Sequence, residues 1–472
     1  MKNTKLTNIA VKKGRWVKSN LSLSAMYAIL FTVLTIILLS GYWKKPNKVI
    51  YGDMQEYYSY LPAALIFHDL TTRDIPPDFR GKYIWSLKSP TGKRVFKFTM
   101  GMSILYAPFF GLAHLYTTLT GQEALGVSPP YKFMLIMSGF FYLIIGLFYL
   151  RKVLKKYYDD RIVAITLISI VIGTNLLYYS TLRITITHVY SFGLFSIFMW
   201  QTIKWYENTK FRTAIWIGLL AGIISLVRPA NALIVLFFIL FSLKHKKDVI
   251  SRLKLFLKEY KQIITIVFFT LLVWVPQMIY WKVQTGQFLY YSYRSNEGFF
   301  FLNPQILNSL FSYHNGWLLY TPIMIFAIFG IIILYFKRRE FFWPVAVFTV
   351  LNIYILSSWW CWWFLGFGNR AYVESYALLA IPFAEFLTII YQSRLKVLKI
   401  VFNFVLAFLI FLSSFQVWQY AHNFMHHDSM TKEMYWYIFL KTHPDSKRFK
   451  MLRKPDYKKA KHGVYEFVPV KH

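Results

Sequence analysis

Long apolar runs separated by short polar intervals dominate this chain. They fall at about Leu21–Trp43, Phe133–Leu150, Ile162–Leu182, His188–Ile203, Ile263–Trp281, Trp317–Phe336, Phe341–Ser358, Ala371–Tyr391 and Val401–Tyr420. Such runs are the length of a helix crossing a hydrocarbon core, which takes about 20 residues at 1.5 Å each. Ala214–Leu243 is too long for one crossing and is interrupted by Arg228-Pro229. Proline lacks an amide proton and clashes with the preceding turn, so two helices meeting there are expected.

The polar intervals set the orientation. The clusters Arg151/Lys152/Lys155/Lys156/Arg161, Lys204/Lys210/Arg212, Lys244–Lys261, Lys337–Arg339 and Arg394/Lys396/Lys399 belong in the cytoplasm by the positive-inside rule. So do Lys2, Lys5, Lys12, Lys13, Arg15 and Lys18, and no small-residue cleavage site follows the first run, so an uncleaved anchor is expected. An even number of crossings must then separate the N-terminus from Arg151–Arg161, yet three apolar runs lie between. The middle one, Phe98–Leu119, holds Gly101, Pro108, Gly111 and His114 and reads as a re-entrant or interfacial helix on the outer side. The expected fold is an all-α polytopic membrane protein of about eleven transmembrane helices. Its first outer loop, Lys44–Lys132, and its fourth, Lys282–Gly316, are long. Residues 1–420 form the membrane-embedded domain and residues 421–472 an extracytoplasmic tail.

Composition agrees. The chain is 56% hydrophobic and 16% charged, whereas soluble domains carry about 25% charged residues. The net charge of +34 points to anionic headgroups. Nucleic acid is excluded as a partner, because the aromatics that would stack on bases sit inside bilayer-length segments. Cys361 is the single cysteine, which rules out an intrachain disulfide and a cysteine-based zinc site.

Candidate chemistry begins at Tyr51–Pro62, directly after the first run. Asp53 and Glu56 lie three positions apart among four tyrosines and can share a helix face. Acidic residues number only 20 against 54 Lys+Arg, so two carboxylates at a membrane exit point to a general base at a water-filled site. The plainer reading is an amphipathic helix in the interface. Arg228 costs about 2.5–3.5 kcal/mol in hydrocarbon, a cost relieved by a cavity, a phosphate partner or the carbonyls freed by Pro229.

In this layout the chain resembles the GT-C class of membrane glycosyltransferases, over roughly Leu21 to Tyr391. Gly52-Asp53-Met54-Gln55-Glu56-Tyr57-Tyr58 is similar to the aspartate-bearing motif of bacterial members related to protein-mannosyl and aminoarabinose transferases. Lys97-Phe98-Thr99-Met100-Gly101 stands where that class brings a basic residue to the donor phosphate. Leu226-Val227-Arg228-Pro229 resembles its Leu-x-Arg-Pro helix break. The chain departs at Arg183-Ile184-Thr185-Ile186-Thr187-His188, where many members carry an acidic residue and this one has His188.

The resemblance implies an inverting transfer of a sugar from a polyprenyl-phosphate donor to a lipid, glycan or protein, on the outer face of a bacterial cytoplasmic membrane. Asp53 is the candidate base, with Glu56 second and His188 sharing the acceptor's proton. Lys97, Arg183, Arg228 and Arg370 are candidates for the donor phosphate, and Tyr57, Arg294 and Trp363 for sugar or acceptor. The partners are the lipid-linked donor and membrane lipids. No resident cofactor is implied, and metal dependence stays open. Structural roles compete for several of these residues. Arg370 could pair with Glu374 one turn on, His188 could cap a helix, and Trp359-Trp360-Cys361-Trp362-Trp363 could anchor at headgroup depth. His422, His426, His427 and Asp428 lack a closed ligand set and read as a solvated face. Two other functions remain in view, a lipid-linked glycan polymerase or ligase and a transporter or flippase. Transporters favour related halves with charges at mid-membrane, whereas here the halves are unalike.

Overall fold

The computed structural model describes residues 20–245, 247–293, 297–443 and 446–470. The basic N-terminal residues and Arg294 therefore lie outside the described residues. The structure is 69% helical, and the described strands form only two antiparallel ribbons, Leu87–Lys88 with Arg94–Val95 and Arg453–Pro455 with Phe467–Pro469. The expectation of an all-α architecture holds.

Among the described residues, six helices are long and apolar enough to cross a membrane: Leu21–Lys44, Pro129–Lys155, Tyr260–Thr285, Arg339–Ser358, Arg370–Gln392 and Lys396–Ala421. The fold is that of a polytopic membrane protein. The other expected crossings fall on Asp160–Val171, Thr187–Glu207, Phe211–Val227, Pro229–Leu240 and Pro322–Lys337. Two of these are shorter than their apolar runs because local chemistry breaks them. The run Ile162–Leu182 stops after Val171, where Gly173 and Asn175 intervene, and Asn175 turns its amide to the Phe367 carbonyl at 3.2 Å. The run Trp317–Phe336 breaks at Thr321-Pro322. Arg228 sits in extended backbone, with φ −150° and ψ 118°, between Phe211–Val227 and a 3₁₀ turn, Pro229–Ile234. Two segments do meet there.

Phe98–Leu119 becomes helix Gly101–Leu119, which carries Pro108 inside it and is not among the six. Its first residue touches the Arg228 break. A Cβ on Gly101 would lie 2.5 Å from the Val227 backbone nitrogen, so only glycine lets these backbones approach so closely.

The two ends of the bundle differ in chemistry. At one end the basic clusters are neighbours in space. Lys156 pairs with Glu207, the Arg338 guanidinium reaches the Tyr157 carbonyl (2.6 Å) and Glu385 (2.9 Å), and the Ser242 amide reaches the Glu340 carbonyl (2.9 Å). At the other end lie the long loops, and the C-terminal segment packs onto them. Gly366 donates its amide to the His427 carbonyl (3.0 Å), and Asn315 reaches the same carbonyl (2.8 Å). Tyr457, Tyr465 and Phe467 cover Trp363. The segment after Ala421 thus caps one end of the bundle.

Because Cys361 is buried, introduced cysteines can be read against a quiet background. Leu302→Cys is fully exposed at the loop end and Lys155→Cys is exposed at the basic end. An impermeant maleimide should label the first from outside intact cells and the second only after permeabilisation. Equal labelling of both from outside would overturn the two-ended arrangement.

Candidate active site

Asp53 opens the short helix Asp53–Tyr58. Gly52 before it has φ 58°, a left-handed conformation that favours glycine and turns the chain sharply out of the first crossing. The Asp53 carboxylate accepts a hydrogen bond at Oδ2 from Arg370 Nη2 at 2.6 Å, and its side chain is 36% exposed. Burial pushes its pKa up, but Arg370, then Arg183 and Lys97, outweigh that and hold the carboxyl below the ordinary aspartate value. It is an ionised carboxylate in a partly desolvated place.

Arg370 comes from the turn after Gly366–Asn369. The Tyr179 hydroxyl bonds both the amide and the carbonyl of Phe367 (3.0 and 3.2 Å), and Asn369 reaches the Trp362 carbonyl (2.9 Å). Arg370–Ser375 is a 3₁₀ turn rather than the first turn of an α-helix. The competing structural reading, a pairing of Arg370 with Glu374, is therefore not the arrangement found. In an α-helix, residues four apart differ by about 40° around the axis and meet. At 3.0 residues per turn they differ by about 120° and point apart. Arg370 goes to Asp53, and Glu374 goes elsewhere.

Glu374 Oε1 receives Arg228 Nη1 at 2.6 Å and His188 Nδ1 at 3.0 Å. Its side chain is only 3% exposed, so these partners are what make its charge tolerable. Its second oxygen, Oε2, is buried without a hydrogen-bond partner among the described residues. The cation at the Pro229 break is therefore met by a carboxylate rather than by freed carbonyls. His188 is likewise more than a helix cap, since the acidic group absent from its own loop arrives from Glu374.

A cavity of about 360 Å³ brings Asp53, Tyr57, Lys97, His188, Arg228 and Arg370 together. Phe98, Trp281, Phe299, Trp359 and Phe364 make much of the rest. Part of the wall is held by an isolated bridge between Phe299 and Trp359, with the Trp360 amide on the Gly298 carbonyl (3.0 Å). Lys97 Nζ lies 3.0 Å from Glu297, which also meets Lys461 at 3.5 Å. Tyr57 stacks on Phe98 with ring centroids 4.3 Å apart. The arrangement offers a proton acceptor, fixed cations and an apolar wall within one space.

Not every candidate joins it. Glu56 is half-buried one turn after Asp53 and does not line the cavity. Arg183 stacks on Tyr51 (4.1 Å) and lines a different cavity. Trp363 is wholly buried beneath the C-terminal segment, while its neighbours Trp359 and Trp360 face the site. Glu297 and Tyr293 were not among the candidates, and Glu374 was weighed only as a partner for Arg370. The signal for Glu374 was available, since a lone carboxylate inside the run Ala371–Tyr391 is costly unless it is paired.

A scan against known protein families matches none, and no curated protein matches. Among solved structures the chain is similar to the archaeal oligosaccharyltransferase AglB from Archaeoglobus fulgidus, determined in complex with an inhibitory peptide and a dolichol-phosphate. The TM-score is 0.55 at 13% identity, covering 92% of this chain and 59% of that one. The Archaeoglobus fulgidus oligosaccharyltransferase in its apo form gives 0.50 at 13% identity, covering 92% and 60%. This chain spans about three fifths of the length of these structures. At this identity the likeness is one of fold.

The Arg228–Glu374 pair can be measured directly. Glu374→Gln leaves Arg228 partly buried without its counter-charge and should lower stability by about 3–5 kcal/mol. The double variant Arg228→Gln/Glu374→Gln should recover part of that loss in a thermal-denaturation cycle. Strict additivity of the two single losses would show that the pair does not hold the site together.

Proposed function

We propose that this protein is a membrane glycosyltransferase that moves a sugar from a polyprenyl-phosphate donor to an acceptor hydroxyl. The observation that carries the reading is the single cavity in which an ionised Asp53, the cations Lys97 and Arg228, and an apolar wall face one another. The fold shared with an oligosaccharyltransferase solved with a dolichol-phosphate supports it, as does the GT-C-like motif at Asp53. The about eleven crossings, the outer face and a bacterial cytoplasmic membrane belong to the same proposal.

The chemistry needs few parts. The acceptor oxygen attacks the anomeric carbon from the face opposite the phosphate, and the carbon–oxygen bond to phosphate breaks as the new one forms. The hydroxyl proton passes to Asp53 at Oδ1, the oxygen not held by Arg370. Charge grows on the departing phosphate. Arg228 keeps Glu374 with one Nη and has further N–H donors for a phosphate oxygen. Lys97 can move between Glu297 and the phosphate as a point charge. His188, steadied by Glu374, lies beside the acceptor path. The prenyl chain takes the apolar wall. A transporter is disfavoured because the polar groups gather at one end of the bundle.

Asp53→Asn keeps the shape and removes the charge. Transfer in membranes with matched expression should fall by about 10²–10⁴-fold, while polyprenyl phosphate is still retained. Near-normal transfer would remove the aspartate from the chemistry and favour a ligase built on arginines and histidine.

A pH profile tests the same residue independently. The Asp53 pKa is depressed, so activity should hold well into acid and be lost only as pH falls through that lowered value. Arg370→Gln removes the largest depressing charge, so the acid limb should move to higher pH. An unmoved limb would mean that Asp53 is not the group being titrated.

A further inference from the structure

A second cavity, of about 400 Å³, adjoins the first at the same end of the bundle. The partition is thin. Tyr51 lines the second cavity and Asp53 the first, and likewise Thr185 lines the second and Ile186 the first. Lys48, Arg183 and Arg448 line it, with His426 and His427, which meet the Asp428 carboxylate at 2.9 and 3.7 Å; no described acidic side chain lines the cavity itself.

Arg448 is the informative member. It is 8% exposed, and among the described residues it makes no ion pair. Phe449 and Phe424 lie at 4.6 and 5.8 Å from the guanidinium carbon, so the flat faces of the group are provided for. Its N–H donors lie in the plane and need acceptors, yet the buried Nε has none. Arg228, Arg338 and Arg370 all have carboxylate partners. A buried guanidinium without one, lining a cavity to which no described carboxylate contributes, has N–H donors suited to an oxyanion.

We propose that the second cavity binds a phosphate-class oxyanion carried by the acceptor, so that the acceptor is a phosphate-bearing lipid or glycan. Its hydroxyl would then reach Asp53 across the Tyr51 partition while the donor fills the first cavity. The word acceptor rests on the transferase reading; the anion site does not. The transfer step is unchanged. A hydroxyl loses its proton to Asp53, the sugar–phosphate bond of the donor breaks, and the acceptor's own phosphate stays intact as a handle.

The test uses the full chain in phosphatidylcholine nanodiscs, titrated calorimetrically with inorganic pyrophosphate and separately with polyprenyl phosphate. Arg448→Gln should weaken pyrophosphate binding by about 10- to 100-fold. The exposed Lys48→Gln should weaken it less, and Arg448→Lys should retain most of it. Polyprenyl phosphate affinity should stay the same in all three. Nanodiscs containing phosphatidylglycerol separate the sources. Competition that disappears in Arg448→Gln supports a lipid headgroup, and its absence supports a soluble phosphorylated glycan. Pyrophosphate binding that is missing, or indifferent to both Arg448 and Lys48, while polyprenyl phosphate binds would overturn the anion site and leave the transferase reading standing. Arg448-dependent pyrophosphate binding with no polyprenyl phosphate binding would sink the transferase reading, and the acceptor assignment with it. Should Arg448→Gln fail to fold, Lys48→Gln decides, because an exposed lysine can be lost without unfolding the chain.

Discussion

A short stretch of 3₁₀-helix, Arg370–Ser375, organises the site. It places a cation and a carboxylate four residues apart and points them in different directions. Arg370 ties the helix after the first crossing to the bundle through Asp53, while Glu374 ties the Arg228 break and the His188 helix together. Had this turn been α-helical, the two would have satisfied each other. Asp53, His188 and Arg228 would then have been left as unpaired charges or polar groups among apolar segments. A buried charge must find a partner or lose its proton, so the turn decides which distant segments converge. The chain around it is arranged accordingly. Gly366 and Gly368 adopt positive φ, and Tyr179 and Asn369 pin the turn from both sides.

Most of the fold and part of the site were legible in the sequence. Bilayer-length hydropathy located the long helices, since the cost of burying backbone in lipid enforces that period whatever the tertiary contacts are. The Arg228-Pro229 break was legible because proline's covalent structure causes it. Asp53 stood out for scarcity, as an acid at a membrane exit in a basic chain. Partners were not legible. Glu374 looked like Arg370's neighbour because α-helical spacing was assumed where tertiary contacts impose a 3₁₀ turn. The tryptophan run looked interfacial, but Trp363 is covered by Tyr457, Tyr465 and Phe467 from nearly a hundred residues later in the chain. No local pattern records that covering, because it is a property of packing. Arg183 lies close in sequence to His188 yet lines the other cavity, as residues on either side of a thin partition will.

The C-terminal segment changes what the loop end of the bundle is. Its backbone accepts from Gly366 and Asn315, its Lys461 shares Glu297 with Lys97, and its Arg448 lines the second cavity. It therefore touches the turn that holds Arg370, the ion pair of the candidate donor lysine and the second cavity. Loops at such an end are ordinarily the mobile part of a membrane protein. Here they are bridged by a segment that lines the second cavity and pairs through Lys461 with Glu297 of the first, so removing it would alter electrostatics as well as cover.

Charge bookkeeping at the site shows how the two halves of the proposed reaction constrain each other. Asp53, Glu297 and Glu374 stand against Lys97, Arg228 and Arg370, with each cation already on a carboxylate. A lipid-phosphate sugar enters with one negative charge and its phosphate leaves with a second. Over the same step Asp53 gains a proton and loses its charge. Transfer is thus the relocation of one negative charge from the Asp53 side of the cavity to the phosphate side. Cations on the two sides act in opposite senses. Arg370 stabilises the aspartate in the ground state and weakens it as a base, whereas Arg228 and Lys97 favour the product-like distribution. Those two spend the resting state on Glu374 and Glu297, so the developing phosphate charge competes with carboxylates for them. Under the proposed reaction, a site built this way would suppress transfer until the donor phosphate is seated, because only then would its cations have a better partner than the one they hold.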